Sequence, residues 1–180
     1  VQVQPHGGVL IMAIYYGDGS NSTSGRAIQT VLTLKTNTTQ LTANGSATAI
    51  SGMSRTITPK DSNNKILITV SLSYAAHGTT YGMFLRRTVG STNTNLDLGD
   101  ASSNRQRVCR PLTNTHDTNQ AQEGFMQVYD SPGTTSQVTY QVMVITDNNN
   151  TFFLNRSNND NNNNTGKRCS SSILCQEIAV

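Results

Sequence analysis

The chain has 180 residues, enough for one domain with a full two-layer core. Only 13% of residues are charged and 34% are hydrophobic; Ser, Thr, Asn and Gly fill the balance. A net charge of +3 is too diffuse for a nucleic-acid partner, and no apolar run approaches the ~20 residues of a transmembrane helix. There is no signal-peptide pattern, and the chain starts at Val1 rather than at a methionine, as a fragment or a processed product would.

Taken in order, two apolar runs, Val9–Tyr16 and Ala27–Leu34, flank the loop sequence GDGSNSTSG. In the second run Ile28, Thr30, Leu32 and Leu34 alternate with Gln29, Val31 and Thr33, a strand pattern. Lys35–Ser46 reads as a surface connection with a short strand. Residues 1–46 are thus expected to be N-terminal strands or an arm able to dock on a neighbour, and 47–180 the sandwich core, within a single domain. Thr48, Ile50 and Met53 lead into Ser54–Thr58; Pro59 ends that ladder, and Asp61–Asn64 supply a turn.

Lys65–Tyr74, KILITVSLSY, is the strongest strand in the chain. Ile66, Ile68, Val70, Leu72 and Tyr74 take every second position, so one face enters a core. Tyr81–Thr88 follows as a strand, Gly90–Asn95 as a loop, Leu96–Leu98 as a short strand and Arg105–Leu112 as a strand. Thr113–Ala121 has no apolar period and reads as an exposed excursion. Gly124–Tyr129 is a strand, DSPG (130–133) a turn, and Val138–Val144 a second central strand with Val138, Tyr140, Val142 and Val144 on one face. Thr151–Arg156 and Ser171–Ile178 are strands on either side of the Asn tract Asn158–Asn164. Short strands at ~8–15-residue spacing without helical periodicity predict an all-β antiparallel sandwich, with an eight-stranded jelly roll the leading architecture.

Candidate chemistry is sparse. His6, His77 and His116 sit in no motif, and no G-x-S-x-G elbow is present. Asp18, Asp61, Asp100, Asp130 and Asp147 fall at turns; Glu177, inside the last strand, stands out and is expected to have a partner such as an Arg. Asp160-x-Asn162-x-Asn164 begins like a calcium loop, but Thr165 and Ser171 stand where an EF-hand needs Gly and Glu. Arg86, Arg87, Arg105, Arg107 and Arg110 read as a solvated face or an inter-subunit contact. Cys109, Cys169 and Cys175 are expected to be buried or half-buried free thiols, with a bridge from Cys109 left open. Asn-x-Ser/Thr sequons occur at Asn21, Asn37, Asn44, Asn149, Asn155 and Asn163. Tyr15, Tyr16, Tyr74, Tyr81, Tyr129 and Tyr140 lie mostly in strand patterns and Trp is absent, which disfavours a carbohydrate-binding platform. No catalytic, cofactor-binding or metal residue is assigned, no cofactor is expected, and receptor-contacting residues are unknown.

Four segments carry a family resemblance: SRTITPKDSNNKILITVSLSY (54–74), F-x-x-x-YDSPGTTSQVTYQV (125–142), FFLNRSNND (152–160) and the ending SSSILCQEIAV. The matching residues are Thr58, Pro59, Ser62, Lys65, Ile66 and Leu67, then Asp130, Ser131, Pro132, Thr134, Thr135 and Tyr140, then Glu177 and Ile178. Their order resembles small jelly-roll-like β-sandwich domains in virion proteins of aquatic tailed phages. The resemblance covers about the last two-thirds of the chain, and its motifs are turns with the strands they feed. It implies a homotrimer on a virion surface, with no enzyme activity and no cofactor. It further implies either a tail-fibre or appendage head that contacts other virion proteins and the host surface, or a capsid decoration protein; the Thr/Ser/Asn-rich, charge-poor surface offers hydroxyls and amides to a host-surface glycan. The places to search for a receptor are then Asn93, Thr113–Ala121 and Asn158–Asn164.

Overall fold

The computed structural model describes residues 25–43, 45–77, 80–115, 119–146, 150–164 and 166–180. Val9–Tyr16, the loop sequence as far as Ser24, His6, His116, Asp147 and the sequons at Asn21, Asn44 and Asn149 lie outside the described residues. The described chain forms eleven strands: β1 (Ala27–Lys35), β2 (Thr39–Ala43), β3 (Thr48–Ile57), β4 (Lys65–Ala76), β5 (Tyr81–Val89), β6 (Thr92–Leu96), β7 (Arg110–Leu112), β8 (Gln122–Asp130), β9 (Val138–Thr146), β10 (Asn150–Leu154) and β11 (Ser171–Ile178). No helix occurs among the described residues.

The strands build two antiparallel sheets. In the first, β8 pairs β4, β4 pairs both β10 and β11, and these pair β2 and β1. Because β10 and β11 run in line, as do β1 and β2, six strands make four rows. In the second sheet β3 pairs β9, β9 pairs β5, and β5 pairs both β6 and β7, again in line. Two face-to-face sheets of four rows make a jelly roll of eight rows, three of them interrupted.

The period-2 pattern explains the packing. Ile66, Ile68, Val70, Leu72 and Tyr74 of β4 are all 0–2% exposed and face Val138, Tyr140, Val142 and Val144 of β9, each 0% exposed. A slip of one residue in β4 would turn all five side chains out of the core, so the register is strongly specified. Tyr74 also stacks on Phe152, with ring centroids 5.5 Å apart and the planes 8° from parallel.

Each interrupted row has a physical cause. Between β10 and β11 the chain leaves the sheet at Asn155 and returns at Ser171. Asn155 is fully buried, has φ 62°, and bridges the gap with its amide: Nδ2 donates to the carbonyls of Lys35 and Asn37 at 2.8 and 3.0 Å. Ser171 Oγ donates to Asn155 Oδ1 at 2.6 Å and accepts from the Ser73 N–H at 2.9 Å. The hydrogen bonds of a missing strand segment are thus made by two side chains.

Between β6 and β7 residues 97–109 fold over the outside of the second sheet. Val108 lies on Gly82, where an added Cβ would sit 2.3 Å from Val108 Cγ1, so only glycine fits there. The expected Arg105–Leu112 strand is therefore corrected to Arg110–Leu112, because this excursion leaves the ladder. The expected loop Gly90–Asn95 is instead a hairpin: Gly90 (φ 57°) and Ser91 turn the chain, and Thr92–Leu96 pairs β5 back to Leu85.

Candidate functional site

The chemically distinctive buried groups all serve the sandwich. Glu177 is fully buried on β11. Its Oε1 accepts from the Lys60 N–H and from Asn64 Nδ2, each at 2.7 Å, and Gln29 Nε2 reaches Oε2 at 3.0 Å. The expected arginine partner is corrected: the carboxylate is held by amides of the Pro59–Asn64 turn, which tie that turn to the end of β11. Asp130 joins Arg87 and Tyr140, with Arg87 Nη1 at 2.8 Å from Oδ1 and the Tyr140 hydroxyl donating to Oδ2 at 2.7 Å. Burial, reinforced by the Asp130 carboxylate, pushes the Tyr140 phenol well above its ordinary range. Burial likewise pushes the Cys175 thiol up to about 12. All three cysteines are free thiols, Cys109 and Cys169 half-buried and Cys175 buried. Among the described residues no three His, Cys, Asp or Glu side chains gather as a metal site requires.

The loops singled out from the sequence separate into two ends of the sandwich. Asn93 lies in the β5–β6 hairpin, where its Oδ1 is 2.7 Å from Thr88 Oγ1. At the other end the β7–β8 connection meets the Asn tract: Asn159 and Asn161 Nδ2 donate to Asn119 Oδ1 at 3.2 and 3.0 Å. The β7–β8 connection is less exposed than expected. Thr115 is fully buried, and its N–H and hydroxyl both bond the Ala76 carbonyl, extending the end of β4. Asp160 is tied to cations: Arg168 Nη2 lies 2.9 Å from its Oδ1 and Arg156 Nη1 3.8 Å from its Oδ2. Arg156 in turn covers the Phe153 ring at 4.2 Å. Where this loop overhangs β4 and β8 there is a cleft of about 580 Å³, lined by Ser73, Asn119, Gln122, Glu123 and Lys167 among others. Its walls are amides, a hydroxyl, one acid, one base, the methyl of Ala121 and the Cys169 thiol.

The arginines form no common patch. Arg86 and Arg87 are neighbours in β5 and so point to opposite faces, Arg86 outward to Asn95 Oδ1 and Arg87 inward to Asp130. Arg105, Arg107 and Arg110 each bond within their own excursion, to Ser102, Gly99 and Cys109. The sequon at Asn155 is fully buried and cannot present a glycan in the folded chain. His77 is exposed, and its carbonyl accepts from the Tyr81 hydroxyl at 2.8 Å.

The two outer faces of the sandwich differ. On the second sheet the outward positions carry Phe84 and Met143, which are buried, and Thr56, Thr139, Gln141, Thr88, Asn93 and Asn95, which bond one another or nearby groups. On the first sheet Leu32 (53% exposed), Leu34 (61%), Phe125 (59%) and Tyr129 (55%) stand in solvent. Leu67, Leu174 and Ile178 lie half-buried between them. Strand periodicity places these side chains on one face, but the sequence alone does not show that both edge rows, β1 and β8, turn the same residue class outward across β11 and β4.

Fold and surfaces together define an eight-row jelly roll with one polar outer face and one partly apolar one. No protein-family model matches the chain, and no curated protein does. Solved structures similar to it include the Eiger TNF of S. frugiperda, at 11% identity and TM-score 0.45, covering 86% of this chain and 94% of that one. VP2 in a subviral particle of infectious bursal disease virus aligns at 9% identity and TM-score 0.39, covering 94% of this chain and 43% of its own. The Gx strain of the same virus aligns at 9% identity and TM-score 0.36, with the same coverages. The chain thus spans less than half the length of those viral chains.

Proposed function

We propose that the chain is a non-enzymatic structural protein of a virion surface, the trimeric head of a fibre or appendage, and that its loop-bearing end contacts the host. The observation that supports this reading best is the junction of Asn119 with Asn159 and Asn161 beside the cleft of about 580 Å³. Two loops some forty residues apart are held together there, presenting amides, Ser73 and one charge of each sign. Such groups donate and accept hydrogen bonds as sugar hydroxyls require, so a host-surface glycan is the ligand class proposed. A low share of charged residues, 13%, suits a surface that binds neutral sugars. The buried carboxylates Glu177 and Asp130 are held by turn amides and by Arg87 with Tyr140, structural assignments that agree with a role without catalysis.

A second reading, a decoration protein docked on a capsid shell, draws on the partly apolar outer face of the first sheet. Purified chain added to host cells before the particles tests both. Blocked particle adsorption, abolished by Gln122→Ala with Lys167→Ala in the cleft, is the expected result. Binding to undecorated shells without any effect on adsorption would overturn the host-contact reading in favour of the second.

A further inference from the structure

We propose that the outer face of the first sheet is the surface through which copies of this chain pack against one another. The proposal takes the number of copies from the trimeric reading above, but it takes the location from the structure.

The ladder registers align four rows on this face. Thr30, Gln176, Leu67 and Tyr129 form one line across them; Leu32, Leu174, Thr69 and Gln127 form the next; Leu34, Ser172, Ser71 and Phe125 the third. Every line holds at least one large apolar side chain, and none holds a charge. Among the described residues the charges lie beyond these lines: Lys65 past one end, and Glu123 past the other, where Lys167 lines the same cleft and Arg156 covers Phe153. Lys65 lies four positions before Thr69 in β4, and Glu123 four positions before Gln127 in the antiparallel β8, so they mark opposite ends of the face. The three lines themselves are uncharged, so an acidic or basic partner finds nothing on them to pair with, whereas a second copy of the same face does not need a charge.

The area is also of the right size. Four side chains that are each more than half exposed present on the order of 450 Å², taking roughly 200 Å² for a fully exposed one. With Leu67, Leu174, Ile178 and the hydroxyl and amide positions between them, the face approaches the ~800 Å² per partner of a stable interface. Monomers rarely leave an apolar patch beyond a few hundred Å² in water. Phe125, beside Ser71, and Tyr129, beside Leu67, both on the edge strand β8, are the anchor type that such interfaces use. The second sheet differs: its outward apolar side chains Phe84 and Met143 are buried, and the residues it leaves exposed between them are polar.

The test is the mass in solution by light scattering at micromolar concentration. The wild type is expected to be a multimer. Leu34→Asp with Phe125→Asp is expected to be a monomer with an unchanged β-type circular dichroism spectrum, because neither side chain enters the core. Thr69→Arg, at the centre of the face, removes no apolar contact and is expected to give the same monomer. Asn95→Asp on the opposite face is expected to leave the multimer intact. If folded L34D/F125D and T69R proteins remain multimeric, the location is overturned while the multimeric reading stands. If the wild type is monomeric, both fail. A monomeric wild type whose tyrosine fluorescence shifts with soluble polysaccharide, and no longer does so after Tyr129→Ala, would give the face to a sugar and overturn the proposal.

Discussion

At the scale of single residues, the protein relies on side chains that replace backbone partners. Asn155 makes hydrogen bonds to two carbonyls and accepts one more, at a φ of 62° that asparagine tolerates better than most residues. Asn155→Ala leaves the buried Lys35 carbonyl and the Ser171 hydroxyl without these partners and is expected to cost ~3 kcal/mol or more, read as a lower urea midpoint at unchanged slope. Cys175 supplies a pH signature. Its folded-state pKa, about 12, lies above that of an unfolded thiol, so the folded state keeps a proton that the unfolded state loses. Stability from this group is therefore complete below about pH 8.5 and is lost as the pH rises towards 12, at ~1.4 kcal/mol per pH unit. Tyr140, also raised, adds to the fall above about pH 10. Urea titrations at stepped alkaline pH check this: Cys175→Ala is expected to remove about one proton from the slope near pH 10, and an unchanged slope would rule the assignment out.

At the scale of elements, the excursions are separable from the ladders that carry them. Arg156 and Arg168 pair as an isolated antiparallel bridge, and the Cys169 N–H bonds the Asn155 carbonyl at 3.0 Å, so the Asn-rich loop is closed at its base. Replacing residues 157–167 with Asn-Gly is expected to preserve the β-type circular dichroism spectrum. It should lower stability by only ~1 kcal/mol, because the ion pairs lost with Asp160 are partly exposed. A loss of cooperative unfolding would show instead that the loop belongs to the core.

The elements also show what periodicity can reveal. The inward faces of β4 and β9 are legible because apolar, largely β-branched residues recur at every second position; Ser171–Ile178 matches its expected bounds although its inward side chains are Ser171, Ile173, Cys175 and Glu177. The strand β6, TNTNL, is not legible, since a polar edge strand has no apolar alternation and is defined by its hairpin to β5. Arg105–Leu112 misled because Val108 and Cys109 are apolar for another purpose, the first covering Gly82 and the second packing half-buried against the core. The partners of Glu177 come from a turn more than a hundred residues earlier, and the contact of Asn119 with Asn161 joins two polar loops. Neither leaves a local pattern to read.

At the scale of the whole molecule, the sandwich presents two outer faces with different chemistry and two ends with different loops. In the proposed assembly the first-sheet face is buried between copies, and the end carrying Asn119, Asn159 and Asn161 points outward. This arrangement fits a head that assembles around an axis and exposes amide-rich loops beyond it. The most direct test is electron cryo-microscopy of intact particles at a resolution that identifies side chains. The account predicts three copies about an axis at the particle surface, with Leu32, Leu34, Phe125 and Tyr129 facing that axis and the Asn119 end distal. Single copies with that face in solvent, or particles lacking the chain, would contradict it.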